Sequence, residues 1–356
     1  MAVLNEEQTI LRDMVREWAD NESPVSAFRA MRNAAPLQGY NPAAWQVMAD
    51  MGLAGIVIPE EFGGTAFGYL SLGLVLEQLG RNLAASPLAA TAVAGSAIVL
   101  GGSDAQKAAW LPRIASGKVV ATLAVDEGPI HNPAGVKTQV VDGKLTGAKA
   151  FVAEGGSAGL FIVAAADGLY LVAADAPGVS RSTRKMADAR NHAQISFDGA
   201  PAERLGDAAL TAAVVDRATA AACGEMLGMA VQAFETTNDY LKTRVQFGQP
   251  LSTFQALQHR MAKMFTELEL MRSAVEGAFE AIDAGRPDID QAVSLAKAVA
   301  GDTLRLVSRE MIQLHGGIGM TDEHDAAFYM KRAAVLEAMW GNVSYHRERF
   351  ARLNGY

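Results

Sequence analysis

Residues 244–250 read Arg244-Val245-Gln246-Phe247-Gly248-Gln249-Pro250. An arginine suits a pyrophosphate because its planar guanidinium offers two parallel charged hydrogen bonds, a geometry that a lysine ammonium does not reproduce. Gly248 lets the backbone approach a ligand closely, and Pro250 suits the start of the next segment. Taken alone, the stretch also reads as a corner between two helices carrying a surface arginine. A second group, Gln313-Leu314-His315-Gly316-Gly317-Ile318-Gly319, places three glycines in four residues. Such a run lets backbone groups crowd against a ligand. A tight helix C-cap with a core or capping histidine accounts for it equally well.

The elements that must position these groups follow from the texture of the chain. Asn5-Glu6-Glu7-Gln8 is a capping box opening a helical region that runs to about residue 117. It carries no basic head followed by an apolar stretch, so it is not expected to be a signal peptide. From Val119 to about Leu205 the runs shorten and become β-rich, as in Phe161-Ile162-Val163 and Leu169-Tyr170-Leu171-Val172. Asp142-Gly143, Asp167-Gly168 and Asp198-Gly199 punctuate them as turn signals. After Ala208 long helices return. Phe254, Leu257, Met261, Met264, Leu268, Met271, Val275 and Phe279 recur every three or four residues and make one apolar face, with the methionines as core packing. Helices, then strands, then helices indicate an α-β-α domain sandwich rather than alternating βαβ units.

Composition narrows the class. The 356 residues are half hydrophobic, which excludes disorder. A net charge of −8 argues against nucleic acid as a partner, because phosphate neutralisation needs surplus Lys and Arg. Cys223 is the single cysteine, so neither a disulfide framework nor a cysteine zinc cluster is expected, in keeping with a cytoplasmic location. No apolar run reaches the roughly 18 residues of a membrane helix. A metal centre is not expected, and no Gly-x-Gly-x-x-Gly opens a βαβ unit for a nicotinamide cofactor.

In combination, the motifs resemble the acyl-CoA dehydrogenase family. Its members carry an Arg-x-x-Phe-Gly-x-Pro segment and a Gln-x-x-Gly-Gly-x-Gly segment in this order, roughly 70 residues apart. Further likeness spans nearly the whole chain: Pro59-Glu60-Glu61-Phe62-Gly63-Gly64, Glu77-Gln78-Leu79-Gly80-Arg81, Leu111-Pro112-Arg113-Ile114-Ala115-Ser116-Gly117 and the closing Arg347-Glu348-Arg349. The resemblance implies an α+β fold: an N-terminal helical domain (1–118), a small middle β-barrel or sandwich domain (119–206) and a C-terminal four-helix bundle (207–356). It implies FAD as cofactor, with Arg244, Gln246, Phe247, Gln313, Gly316 and Gly317 contacting its ADP part in a neighbouring subunit, hence a dimer or larger oligomer. Val125, Phe151 and Ala153 fall at the flavin ring.

The flavin-ring and base positions depart from the family pattern. The loop usually written Thr-Glu-Pro-Gly-x-Gly-Ser-Asp reads Asp126-Glu127-Gly128-Pro129-Ile130-His131-Asn132-Pro133, and Lys-x-Trp-Ile-Thr reads Lys149-Ala150-Phe151-Val152-Ala153. Phe151 can still stack on a flavin edge, whereas Ala153 has no hydroxyl to offer. The family reaction removes the α-proton of an acyl thioester while hydride leaves Cβ for the flavin, so a carboxylate must reach Cα. Most members place a Glu before Gly near the C-terminus; here Trp340 precedes Gly341. Glu337 is three residues away, about 300° around a helix. A minority carry the base before an Arg on an earlier helix. Asp216-Arg217 looks similar with a two-residue slip, since an ungapped count from Arg244 falls on Ala218. Glu225, seven residues beyond Ala218, shares its helical face.

Three alternatives stand for the base: Asp216, Glu225, or a group outside this chain. The plainer reading makes Asp216 an acid complementing a helix N-terminus and Glu225 part of a solvated face. The expected activity is α,β-dehydrogenation of an acyl-CoA, alone or as one subunit of a hetero-oligomer, with a non-catalytic FAD- or acyl-CoA-binding subunit as the alternative. Gly316-Gly317-Ile318-Gly319-Met320-Thr321-Asp322-Glu323-His324-Asp325 looks like the branch that handles steroid acyl-CoA thioesters in paired subunits. Electron-transfer flavoprotein is the implied electron acceptor.

Overall fold

The computed structural model describes residues 4–36 and 38–356. Helix α1 (Glu6–Glu22) opens on the expected capping box: the Asn5 side chain accepts from the Gln8 amide at 2.8 Å, and the Gln8 side chain accepts from the Asn5 amide at 3.1 Å. Helices α2 (Val25–Ala34), α3 (Pro42–Asp50), α4 (Gly68–Arg81), α5 (Leu88–Gly101) and α6 (Asp104–Ala115) follow. Helix α5 is apolar nearly all round and buried from Thr91 to Ile98, as a helix without a polar face must be. In the Pro59–Gly64 loop, a Cβ on Gly64 would lie 2.0 Å from the Ile58 carbonyl oxygen, so this turn closes only around glycine.

The middle of the chain forms two four-stranded sheets. One has β1 (Ala121–Ala124), β4 (Leu160–Ala165), β5 (Gly168–Ala173) and β8 (Glu203–Gly206) in the order β1-β4-β5-β8; β1 and β4 are parallel. The other has β2 (Gln139–Val141), β3 (Lys144–Ala153), β6 (Val179–Lys185) and β7 (Asn191–Pro201) in the order β2-β3-β7-β6. Asp142 and Gly143 both take positive φ, +49° and +71°, the two-residue hairpin turn read from their types. The β4–β5 hairpin turns one residue earlier than Asp167-Gly168, at Ala166-Asp167, since Ala165 pairs with Gly168 and Gly168 opens β5. Asp198-Gly199 is not a turn. It lies inside β7 as a bulge, two residues facing Thr146 alone between the pairs Leu145–Ala200 and Gly147–Phe197, with Gly199 at φ +62°.

The chain then continues through α7 (Ala208–Thr243), α8 (Gln255–Asp283), α9 (Ile289–His315), α10 (Ala326–Ala338) and α11 (Val343–Leu353). In α8, Met264, Leu268, Met271, Val275 and Phe279 of the expected apolar face are buried, whereas Leu257 and Met261 are half-buried and Phe254 precedes the helix. Helix α9 packs against α8, α10 and α11. The sequence order is thus a helical N-terminal region, a central β region and a C-terminal helical bundle.

In three dimensions the residues group into two compact units, Met1–Ala27 with Gly73–Ala84 and Ala222–Tyr356, and Phe28–Leu72 with Ala85–Ala221. Within the first unit α4 and α7 cross at backbone contact: a Cβ on Gly228 would lie 1.8 Å from the Glu77 carbonyl oxygen, and one on Gly80 2.3 Å from that of Glu225. Among the described residues no helix is long and apolar enough to cross a membrane.

Candidate active site

Helix α7 ends at Thr243, and the Arg244 amide still donates to the Tyr240 carbonyl at 2.8 Å. The next residues form a small hairpin rather than the simple helix corner, pairing β9 (Val245–Gln246) with β10 (Gln249–Pro250). Its tip is Phe247 and Gly248, at φ +54° and +80°. This conformation favours glycine and is costly for phenylalanine. It holds the Phe247 ring 88% exposed.

Helix α9 brings the second motif to the same end. Tyr240 stacks on His315 with ring centroids 4.3 Å apart and donates its hydroxyl proton to the His315 carbonyl at 3.3 Å. His315 is buried, with Nδ1 donating to the Met311 carbonyl at 2.6 Å. It is a core histidine, as read, and burial draws its pKa down. Gly316 ends α9 at φ +65° and starts a 3-10 turn, Gly316–Met320.

Three of the glycines adjoin open space: a Cβ on Gly248, Gly316 or Gly317 would meet no atom within 4 Å. Arg244, Gln246 and Gln313 are exposed beside them in sequence. A guanidinium, two carboxamides and uncovered glycine backbone are a donor set suited to a pyrophosphate and its nucleoside. This end of the bundle therefore fits the ADP part of a dinucleotide.

The β region is arranged differently. Lys149 is fully buried, and its Nζ donates to the Val125 carbonyl and to Glu127 Oε1, both at 2.9 Å. Val125, buried itself, thus has its carbonyl engaged within the fold. Glu127 also accepts from the Thr138 hydroxyl at 2.7 Å and from the amides of Thr138 and Lys137 at 2.8 and 2.9 Å. Burial alone would raise its pKa, but the bonds from Thr138, Lys149 and Lys137 outweigh that and hold it at about 2. For Lys149 burial prevails and draws the ammonium pKa down.

Asp126 takes His131 Nδ1 on both oxygens, at 2.9 and 3.0 Å, so two further polar side chains of the loop face each other. Phe151 sits in a bulge of β3 at φ +53°, 40% exposed, with the Arg184 guanidinium carbon 5.5 Å from its ring centroid. The Ala153 carbonyl accepts from the Thr122 hydroxyl at 2.7 Å. An aromatic face is available to a flavin ring here, whereas the loop's own polar side chains are largely turned inward.

Glu127→Gln is expected to destabilise the protein by about 2–3 kcal/mol at neutral pH, the order implied by the depressed carboxyl pKa. Because the folded pKa lies below the ordinary value, that stability is fully present above pH 4.5 and is lost as pH falls toward 2. Denaturant titrations of the two proteins should converge over that window.

Neither candidate base lies where the plainer reading put it. Asp216 is in the third turn of α7 and buried, beyond the first turn in which a helix dipole stabilises an acid. Its neighbour Arg217 donates from Nε to the Tyr69 hydroxyl at 3.0 Å and from Nη1 to the Ala213 carbonyl at 2.9 Å. Glu225 is not on a solvated face. Its two oxygens accept from Arg332 Nε and Nη2, each at 2.8 Å. That bidentate pairing engages both carboxylate oxygens, one bond to each. Glu225→Gln should leave the Arg332 charge undercompensated and cost about 3 kcal/mol in chemical denaturation.

Trp340 stands beyond the end of α10 at φ +59°, and Glu337, in the last turn of that helix, has its carboxylate 3.8 Å from Arg305. Sequence reading missed the stack of Tyr240 on His315 and the Arg332 partner of Glu225, because neither is signalled by local spacing. The buried pairing of Lys149 with Glu127 joins two motifs that had been read separately.

In chain order, a helical N-terminal region, a central β region and a C-terminal helical bundle carrying both motifs are the architecture of the flavin-dependent acyl-CoA dehydrogenases. The chain belongs to the acyl-CoA dehydrogenase family: the family's N-terminal domain matches residues 5–118 and its C-terminal domain residues 207–353. It is 30% identical to acyl-CoA dehydrogenase IpdE2 of Mycolicibacterium smegmatis, over 98% of either chain. Among solved structures it is similar to the Tcur3481-Tcur3483 steroid ACAD variant, with TM-score 0.92 and 32% identity over 98% of both chains. It is also similar to the ChsE4-ChsE5 complex from Mycobacterium tuberculosis, with TM-score 0.92 and 25% identity over 100% of both.

Proposed function

We propose that this chain is one subunit of a hetero-oligomeric, FAD-dependent acyl-CoA dehydrogenase that converts a bulky, steroid-derived acyl-CoA thioester to its 2-enoyl-CoA. The observation that carries the reading is an asymmetry. The bundle end offers an open ADP-binding surface around Arg244 and Gly316-Gly317, while Trp340 and Ala153 replace the base and the hydroxyl of the family pattern. A partner with the opposite pattern would complete the site. The two solved relatives, a steroid ACAD and a two-component complex, support both the pairing and the substrate class.

When bound, the flavin supplies the hydride acceptor for substrate Cβ. Arg244 would hold the pyrophosphate of the neighbouring subunit's FAD through two parallel charged bonds, Gln246 and Gln313 would bind polar groups of its nucleotide, and the backbone at Gly316 and Gly317 would allow close approach. Phe247 would cover that ADP part, and Phe151 would stack on the edge of the flavin ring held by this chain. Asp216, buried on α7 and followed by Arg217, accepts the α-proton. An electron-transfer flavoprotein is the electron acceptor this reading implies. The work is divided among three domains, at 1–118, 119–206 and 207–356.

Trp340 and Ala153 also favour a second reading, in which the chain binds FAD or acyl-CoA for a partner without turning over substrate itself. Purification alone and together with chains encoded beside it tests the assembly. FAD bound only in the mixed complex is the expected result; a full FAD on every chain of the lone protein would remove the need for a partner. Asp216→Asn and Glu225→Gln, made separately in the active complex, separate the two readings, since unchanged turnover in both leaves only the non-catalytic one.

A further inference from the structure

Lys297 lies in the middle of α9 and is 1% exposed. Among the described residues its ammonium has no carboxylate partner within hydrogen-bond reach. It donates instead to three backbone carbonyls, those of Glu337 at 3.2 Å, Met339 at 2.8 Å and Gly341 at 2.8 Å. These belong to the last turn of α10 and the segment after it, where helix carbonyls are left without intrahelical partners. Burial lowers the ammonium pKa to about 8. The buried Cys223 of α7 faces it as a neutral thiol, its pKa pushed up to about 12 by burial.

The enclosed segment is conformationally costly. Trp340 holds φ +59° and Gly341 φ +95°. A Cβ on Gly341 would lie 2.4 Å from the Tyr345 ring, so α11 closes against it. The Trp340 carbonyl accepts from His346 Nε2 at 2.8 Å. A bulky residue persists in the left-handed region only where its surroundings over-determine it. The three donors of the ammonium match the three converging carbonyls one to one.

We infer that Lys297 is a positioning residue: it wraps the segment from Glu337 to Gly341 around one ammonium and so fixes Trp340, the specificity-determining wall at the place where the family carries its base. The substrate-side meaning of this wall rests on the function proposed above. Fixing the backbone from inside leaves the Trp340 side chain to vary in role without disturbing the turn. On that function the wall is an indole, which has no proton-accepting group.

The test is the exposure of Trp340, read as acrylamide quenching of the emission that disappears in Trp340→Phe, with hydrogen exchange followed at the amides of residues 340–344. Lys297→Met removes every donor. Lys297→Gln keeps two and is the variant chosen to remain folded. Each is paired with its own Trp340→Phe version. The expected result is a Trp340 quenching constant about threefold higher in Lys297→Met and a smaller rise in Lys297→Gln, with exchange faster at 340–344 only. Unchanged quenching and exchange in either folded variant would overturn the inference, as would exchange rising equally through α9, α10 and α11. None of these readouts involves flavin or acyl-CoA, so failure here and failure of the proposed function are separately visible.

Discussion

Asp216→Asn is expected to lower turnover of the assembled enzyme by about a thousandfold, the usual scale for loss of a general base. FAD content and acyl-CoA binding should stay close to wild type. Asparagine keeps the shape of the side chain and loses its capacity to take a proton, so the loss should fall on kcat, with KM little changed. Asp216 is buried on α7, one residue before an arginine already committed to Tyr69 and the Ala213 carbonyl. Glu225 has both oxygens held by Arg332. Its loss should appear first as lost stability. A variant series in which Glu225→Gln abolished turnover at full stability, while Asp216→Asn did not, would reverse these roles.

Arg244→Ala should weaken FAD binding by about a hundredfold or more, since two parallel charged hydrogen bonds to a pyrophosphate are worth roughly 3 kcal/mol together. Fluorescence titration of the apo-complex with FAD measures this directly. Arg244→Lys should recover only part of the loss, because an ammonium does not reproduce the fork. The backbone of the hairpin at Phe247 and Gly248 does not depend on the Arg244 side chain, so the variant should fold normally. An unchanged affinity in Arg244→Ala would place the nucleotide elsewhere.

Local signals in the sequence accounted for much of the fold. The Asn5-Gln8 capping box, the Asp142-Gly143 hairpin and the apolar face of α8 are each set by residue type and spacing over a few positions. Asp198-Gly199 misled because the same dipeptide serves a bulge as well as a turn, and strand pairing decides between them. The segments Arg244–Pro250 and Gln313–Gly319 were legible as motifs. That they share one end of the bundle rests on the stacking of Tyr240 with His315, 75 residues apart in sequence.

The base could not be settled from spacing, because pairing is a tertiary property. Glu225 reads as solvent-facing until Arg332, 107 residues later, is placed against it. Lys297 carried no sequence signal at all: a lysine on a helix ordinarily reaches solvent, and only the convergence of three carbonyls explains why this one does not.

The most direct measurement is an anaerobic titration of the purified complex, made of this chain and its partner, with a steroid side-chain CoA thioester while the visible flavin band is recorded. The account predicts that the complex binds FAD, that the band bleaches stoichiometrically with the thioester, and that the lone chain neither holds a full flavin nor bleaches. A lone chain carrying one FAD per subunit and bleaching as fully as the complex would contradict it.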